Sequence, residues 1–134
     1  MAPAVLLDTH ILIWWLLNSE RLSRDQARIL RRMESRGQPV AISAITFWEI
    51  AVMVARGRLE IDEPLDEWLD QIESHPLIAV VPLTPRIAAE GARLGAQFHK
   101  DPVDRIIVAA ARVHGLRLLT ADERIRRWGG TPVI

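Results

Sequence analysis

The chain contains no cysteine, which excludes disulfides, thiolate zinc sites and cysteine nucleophiles. Lys100 is the single lysine among 17 basic residues, so arginine carries almost all of the positive charge. The apolar runs, such as residues 11–17, are far too short to span a bilayer. The formal net charge is zero, so composition gives no global argument for nucleic-acid binding. Function must therefore be sought in individual residues.

The overall composition is that of a globular protein, with 49% hydrophobic and 25% charged residues. We expect a single domain over residues 1–134, because the length suits one hydrophobic core and no linker, repeat or low-complexity segment interrupts it. No basic region precedes the first apolar run, and Asp8 interrupts that run. We therefore expect no signal peptide, no membrane association and a cytoplasmic location.

Charged residues are segregated along the chain although their totals balance. An arginine-rich segment covers residues 21–36, and an acidic segment without a basic residue covers residues 60–73. Most of these arginines recur every three or four residues, which places them on one helix face. The simpler interpretation of each segment is a solvated helix face. For the arginine-rich segment, a phosphate-binding arm is the alternative.

Strand and helix patterns alternate along the chain. A short apolar run, Val5–Leu7, predicts a buried strand of a parallel sheet. Further strands are predicted at residues 39–42, 77–83 and 116–119, with a weak terminal strand at 131–134. Helices are predicted at residues 11–17, 23–35, 43–56, 64–75, 85–98, 102–114 and 121–128. This alternation predicts an α/β fold, a three-layer α/β/α sandwich with a mostly parallel central sheet.

Four carboxylates lie at predicted helix starts, and most of them follow a strand: Asp8, Glu49, Asp104 and Asp122. In a parallel α/β fold, strand-to-helix junctions meet at one edge of the sheet, where ligands bind. Four carboxylates at one edge repel each other strongly in a low dielectric. A hard divalent cation, Mg²⁺ or Mn²⁺, relieves that repulsion, since such ions bind carboxylates, waters and phosphates.

Each acid also has a purely structural interpretation as a helix cap. Thr46-x-x-Glu49 matches a capping box, and Thr120-x-x-Glu123 repeats the pattern, with Asp122 in the first turn. Asp8 is placed to cap the first helix. The run Asp101-Pro102-Val103-Asp104 predicts Asp101 as the N-cap and Asp104 as an acid of the first turn.

The motifs that contain these acids resemble those of the PIN-domain ribonucleases, and most closely the VapC toxins of bacterial toxin–antitoxin pairs. The resemblance covers essentially the whole chain and is carried by Leu7-Asp8-Thr9-His10, Trp48-Glu49-Ile50, residues 101–110 and Leu119-Thr120-Ala121-Asp122. It implies an Mg²⁺- or Mn²⁺-dependent endoribonuclease that cleaves RNA phosphodiester bonds. It also implies homodimerisation and neutralisation by a cognate antitoxin protein.

The family's acidic quartet carries over to the four carboxylates named above. By this resemblance Asp8 and Asp104 are the primary metal ligands, while Glu49 and Asp122 hold metal directly or through water. Glu49 or Asp122 is then the candidate acceptor of the water's proton. The auxiliary candidates of the site are Thr9, Thr120, Asp101 and Arg105. Arg105 and Lys100 are candidate phosphate contacts, whereas His99 is interpreted as an ordinary loop residue. Hydroxyls next to the acids match the family pattern at Thr9 and Thr120.

Other functions fit the sequence less well. A phosphoaspartate receiver-like domain needs an acidic pair at the first strand and a lysine after the last, whereas Asp8 is single and Lys100 is misplaced. A haloacid-dehalogenase-type phosphatase needs a second Asp where His10 stands. A non-catalytic module would not need all four acids. The main alternative is a PIN-fold nuclease that processes RNA without an antitoxin.

A homodimer is predicted because residues 11–17 are too apolar for a solvated helix, unless they are buried within the chain.

Overall fold

A four-stranded parallel sheet lies at the centre of the fold, in a computed structural model that describes residues 2–98 and 100–134. Its strands are β1 (Val5–Leu7), β2 (Val40–Ser43), β3 (Ile78–Val81) and β4 (Arg117–Leu119). They are arranged in the order β3-β2-β1-β4, and every pairing is parallel. The central strand β1 is completely buried, as its apolar sequence predicts.

Seven helices are formed by the described residues. They are α1 (Thr9–Leu16), α2 (Arg24–Ser35), α3 (Ile45–Ala55), α4 (Leu65–Ser74), α5 (Pro85–Ala92), α6 (Pro102–His114) and α7 (Glu123–Trp128). In the part of the chain that the structure describes, no helix has the length and hydrophobicity needed to cross a bilayer.

The sheet separates two hydrophobic clusters because successive strand side chains point to opposite faces. Leu6 and Leu118 pack with α5, α6 and α7 on one face. Leu7 and Leu119 pack with α1, α2, α3 and α4 on the other. The predicted α/β/α sandwich with a parallel sheet is therefore confirmed.

Several helix ends form as their sequences predict. Ser23 begins α2 with a capping box that it shares with Gln26. Asp101 begins α6, and its Oδ1 accepts a hydrogen bond from the backbone N–H of Val103 (3.0 Å). Gly115 ends α6 in the left-handed conformation, with φ of 64°.

Two predicted capping boxes were wrong. The N-cap of α3 is Ala44, which makes no side-chain cap, because the Thr46 hydroxyl is buried and bonded to Thr9 instead. The α7 helix begins two residues later than predicted, with Asp122 rather than Thr120 as its N-cap. In both cases a threonine that was expected to cap its own helix instead contacts a residue of the first β–α junction.

The predicted helix at 85–98 was too long. It ends at Ala92, with Arg93 as its C-cap. The chain then passes through Gly95, which has φ of 88°, and turns towards the start of α6. The terminal strand predicted at 131–134 is reduced to one parallel bridge between Val133 and Leu118.

Candidate functional site

The four predicted acids line one cleft of about 430 Å³ at the carboxyl edge of the sheet. We call it the acidic cleft. Its lining is Asp8, Thr9, His10, Trp14, Glu49, Asp101, Asp104, Ala121, Asp122, Glu123 and Arg124. The acids come from four different elements, so the fold itself brings them together. Glu49 lies a full turn inside α3 rather than at its first turn, which corrects its expected position at the helix start.

Asp8 is the most buried acid of the cleft, with 8% of its surface exposed. Its Oδ1 accepts a hydrogen bond from the backbone N–H of Ile11 (3.0 Å) and so caps α1. Its Oδ2 accepts a hydrogen bond from the Thr120 hydroxyl. Burial raises the pKa of Asp8 despite these two bonds, and the charge of Asp104 raises it further. The Asp8 carboxylate is thus held firmly in place by two hydrogen bonds, both of which come from uncharged donors.

Glu49 is half-buried and lines the same cleft from α3. Burial is the main reason that its pKa is raised, and the charges of Asp104 and Asp101 add to the effect. A hydrogen bond from Thr9 lowers the pKa in part. The Thr9 and Thr46 hydroxyl oxygens are 3.0 Å apart, so α1 and α3 are tied together beside this acid.

The charge of Asp104 therefore acts on both Asp8 and Glu49. Acids of three different helices, α1, α3 and α6, therefore share one electrostatic environment. Repulsion of this kind is what a bound cation relieves.

Arg124 supplies a cation inside the cleft. Its Nη2 lies 2.9 Å from Asp122 Oδ2, its Nε lies 3.2 Å from Asp122 Oδ1, and its backbone N–H donates to the same Oδ1 (2.8 Å). The same Nη2 lies 3.8 Å from Asp104 Oδ2. The hydrogen bond and charge of Asp122 raise the pKa of the Arg124 guanidinium. Both oxygens of Asp122 are consequently engaged by a side chain that is itself more than half exposed.

The donor set fits a hard divalent cation. It consists of carboxylate oxygens, with hydroxyls behind them, and Mg²⁺ prefers such ligands while keeping several waters. Within residues 2–98 and 100–134, no three His, Asp or Glu side chains are grouped tightly enough to enclose a metal by themselves. This arrangement suits an ion held by one or two carboxylates and completed by water and phosphate.

The auxiliary candidates divide into two groups. The Thr120 hydroxyl bonds to Asp8, Thr9 bonds to Thr46 and to Glu49, and Asp101 is the N-cap of α6, as predicted. Arg105 differs from its expected role as a phosphate contact. Its guanidinium donates to the carbonyls of Gly91 (3.1 Å), Gly95 (2.9 Å) and Phe98 (3.1 Å), so it fastens the α5–α6 connection. His99 lies outside the described residues, and Lys100 is exposed.

Sequence reasoning missed four residues of the cleft lining: His10, Trp14, Glu123 and Arg124. The rings of His10 and Trp14 are 5.9 Å apart, one turn apart on α1. Their positions could have been found from the sequence, because residues four apart on a helix that begins directly after Asp8 lie on one face beside that acid. Arg124 had a similar signal, because an N-cap acid brings the residue two positions on close to its carboxylate.

Comparisons with known proteins give one consistent result. The PIN domain family model matches residues 5–130. The chain is 35% identical over 122 residues to Ribonuclease VapC22 of Mycobacterium tuberculosis, covering 91% of this chain and 89% of that protein.

Solved structures share the fold. The FitAcB structure from Neisseria gonorrhoeae matches with a TM-score of 0.69 and 23% identity, over 97% of this chain and 96% of that chain. DNA-bound VapBC from Salmonella typhimurium matches with a TM-score of 0.71 and 18% identity, over 99% and 98%. A toxin–antitoxin complex from Klebsiella pneumoniae matches with a TM-score of 0.64 and 24% identity, over 97% and 95%.

Proposed function

The chain belongs to the PIN-domain family, and from that membership we propose that it is a divalent-metal-dependent ribonuclease toxin neutralised by an antitoxin protein. The resemblance predicted from the sequence is confirmed by the family match and by the VapC relative. The single observation that carries the chemical proposal is the acidic cleft, where four elements bring Asp8, Glu49, Asp104 and Asp122 together.

In this proposal Asp8 and Asp104 hold Mg²⁺ or Mn²⁺, and Glu49 and Asp122 hold it through water, since among the described residues no three acids are grouped closely enough to bind one ion directly. A bound ion of this kind polarises a phosphate and lowers the pKa of a coordinated water. Glu49 is the better candidate to accept the water's proton. Its pKa is raised, and both oxygens of Asp122 are already engaged by Arg124.

The antitoxin proposal is supported by the same cleft. The Asp122 carboxylate already accepts an arginine side chain with hydrogen bonds to both of its oxygens. A basic side chain of a partner fits a pocket of this chemistry, because guanidinium pairs bidentately with carboxylate. Among structures of this fold, the one from Klebsiella pneumoniae is described as a toxin–antitoxin complex. The FitAB structure and the VapBC2 structure from Rickettsia felis are described as bound to DNA fragments.

A homodimer and a cytoplasmic location complete the proposal. The original argument for the dimer weakens, because Ile11, Leu12 and Ile13 are buried within the chain itself. Support now comes from α3, where Trp48 is 58% exposed and Ala51 and Val52, three and four residues later on the same helix face, are only half-buried. An apolar helix face of this kind favours contact with a second copy.

The decisive experiment incubates the purified protein with total RNA, with and without Mg²⁺, and maps the new RNA ends. We expect cleavage that requires the metal and is abolished in Asp8→Asn. Asp70→Asn, at an exposed position of α4, is the control for loss of one acidic charge. Undiminished cleavage by a folded Asp8→Asn protein would reject the site.

The antitoxin is tested separately by co-purifying the protein with the product of its co-transcribed neighbour. Binding and loss of cleavage are expected. If that neighbour neither binds nor inhibits, the protein is an RNA-processing nuclease without an antitoxin, and the nuclease proposal stands.

A further inference from the structure

The balanced charge of the chain is divided between two sides of the fold. The arginine-rich segment contains α2, which shares a cleft with Val5 of β1 and Arg117 of β4, and the acidic segment leads into α4, which packs against β3. Since β3 and β4 are the two edges of the sheet, positive and negative charge lie at opposite edges. A neutral total therefore conceals a strongly basic surface.

The basic surface begins at the acidic cleft. The Gln26 side chain donates a hydrogen bond to the Thr120 carbonyl (3.2 Å), which fixes the N-terminal end of α2 beside the β4–α7 junction. Just before α2, the Arg21 guanidinium lies 5.8 Å from the ring centre of Trp14, which lines the cleft. From there α2 extends away for roughly 18 Å, at about 1.5 Å per residue.

Arginines continue along this direction. Arg24, Arg28 and Arg31 line one depression beside α2, in which Glu20 is the single acid of the lining. Arg28 also lines a second cleft, of about 430 Å³, together with Arg32 and Arg117. Because Arg28 belongs to both, the two depressions form one continuous surface.

The second cleft differs chemically from the acidic one. Its lining is Ala4, Val5, Arg28, Ile29, Arg32, Met33, Gln38, Arg117 and Ile134. An apolar floor is thus bordered by three arginines and one amide. Phosphates suit guanidinium groups, and the flat face of a base suits apolar side chains.

We propose that the arginine track, consisting of Arg21, Arg24, Arg28, Arg31, Arg32 and Arg117, binds the backbone of single-stranded RNA whose scissile phosphate lies in the acidic cleft. The track is thus an extended substrate-binding surface outside the metal site. The inference rests on the proposed nuclease function and adds where the rest of the substrate lies.

RNA fits these observations better than an acidic protein. The track is continuous with the cleft where the phosphodiester would be cut, and its arginines recur at every helical turn, as a repeating phosphate chain requires. Asp25 pairs with Arg28 (2.8 Å), but both side chains are largely exposed, so water and RNA compete easily for that pair.

The test measures RNA binding as a function of salt in the presence of EDTA, so that the RNA stays intact. The probe is a single-stranded RNA long enough to reach from the acidic cleft along α2. The variant is Arg28→Gln/Arg32→Gln/Arg117→Gln. Its control is Arg58→Gln/Arg86→Gln/Arg93→Gln, which removes the same charge from exposed positions off the track.

Loss of three phosphate contacts should reduce the magnitude of the slope of log K against log salt by roughly 2. The affinity of the variant relative to wild type should therefore fall by roughly 100-fold between 1 M and 0.1 M salt. The control triple variant should keep the wild-type slope. An unchanged slope in the track variant would overturn the proposal. The proposal would also be overturned if the track variant lost salt-sensitive self-association but bound RNA like the wild type. That result would show that the arginine track binds the acidic segment of a second copy of the chain.

A second assay separates this proposal from the nuclease function. A short RNA that occupies only the acidic cleft should be cleaved equally by wild type and the track variant. If the wild type cleaves no RNA at all, the nuclease proposal fails. The salt dependence of RNA binding by wild type and track variant still shows whether the arginine track binds RNA.

Discussion

The Thr120 hydroxyl links two acids of the cleft: it donates to Asp8 Oδ2 and accepts the backbone N–H of Asp122 (3.0 Å). Thr120 follows β4 and Asp8 follows the neighbouring strand β1. The side chain is completely buried, so water cannot replace either bond. The position of Asp8 within the cleft is therefore set partly by a residue 112 positions later in the chain.

Replacement of Thr120 with valine should lower the free energy of unfolding by about 1–3 kcal/mol, because it leaves Oδ2 of the buried Asp8 carboxylate without its hydrogen-bond donor. RNA cleavage should fall with it. Thr120→Ser keeps the hydroxyl and should retain most of the stability and activity. Denaturant unfolding and cleavage assays on both variants test this, and equal behaviour of valine and serine would show that the hydroxyl is not needed.

Removal of the Arg124 side chain should strengthen metal binding. Arg124 competes with a cation for Asp122 and lies 3.8 Å from Asp104. We expect Arg124→Gln to bind Mg²⁺ or Mn²⁺ roughly threefold to tenfold more tightly, from the Coulomb repulsion that is lost. Calorimetric titration of the RNA-free protein measures this. Arg127→Gln, on the same helix but outside the cleft lining, is the matched control. Weaker metal binding by the Arg124 variant would contradict the competition.

The two aspartates at the start of α6 should behave differently. Asp101→Asn retains an N-cap acceptor and should cleave RNA at a near-normal rate. Asp101→Ala should cost about 1 kcal/mol of stability and keep measurable activity. Asp104→Asn should lose activity and weaken metal binding with little change in melting temperature. The reverse result, with Asp101→Asn inactive and Asp104→Asn active, would place the metal on the other carboxylate.

Arg105 should affect stability rather than metal binding. Its guanidinium bonds three backbone carbonyls between α5 and α6, and a glutamine side chain is too short to replace these bonds. Arg105→Gln should lower the free energy of unfolding by about 1–3 kcal/mol. Its affinity for Mg²⁺, measured by titration well below the melting temperature, should stay at the wild-type value. Weaker RNA binding by the folded variant, with its Mg²⁺ affinity unchanged, would restore Arg105 as a phosphate contact of the site.

The fold was largely predictable because the signals were local. Val5–Leu7 is apolar throughout, Ser23 and Gln26 have the spacing of a capping box, and Gly115 follows the last periodic residue of α6. Parallel topology then requires Asp8 and Asp122 to lie at the same edge of the sheet. No distance between them was needed for that prediction.

What could not be predicted depends on contacts between distant segments. Thr46 and Thr120 both match local capping patterns, yet each hydroxyl contacts the first β–α junction, at Thr9 and Asp8. Arg105 lies next to Asp104 in sequence, but on a helix the adjacent residue points about 100° away, here towards the α5–α6 connection. Such choices are decided by tertiary packing, which a local pattern does not contain.

The pairing of β1 with β4 has a consequence for the order in which the site is assembled during synthesis. The backbone N–H of Asp8 donates to the carbonyl of Leu119 (3.1 Å), so the junction after the first strand is fixed only when a strand more than one hundred residues later in the chain has formed. A nascent chain that still lacks β4 holds neither Thr120 nor Asp122 beside Asp8. The acidic cleft is therefore completed only after β4 has been synthesised and has paired with β1, so a growing chain that stops before β4 carries no finished cleft.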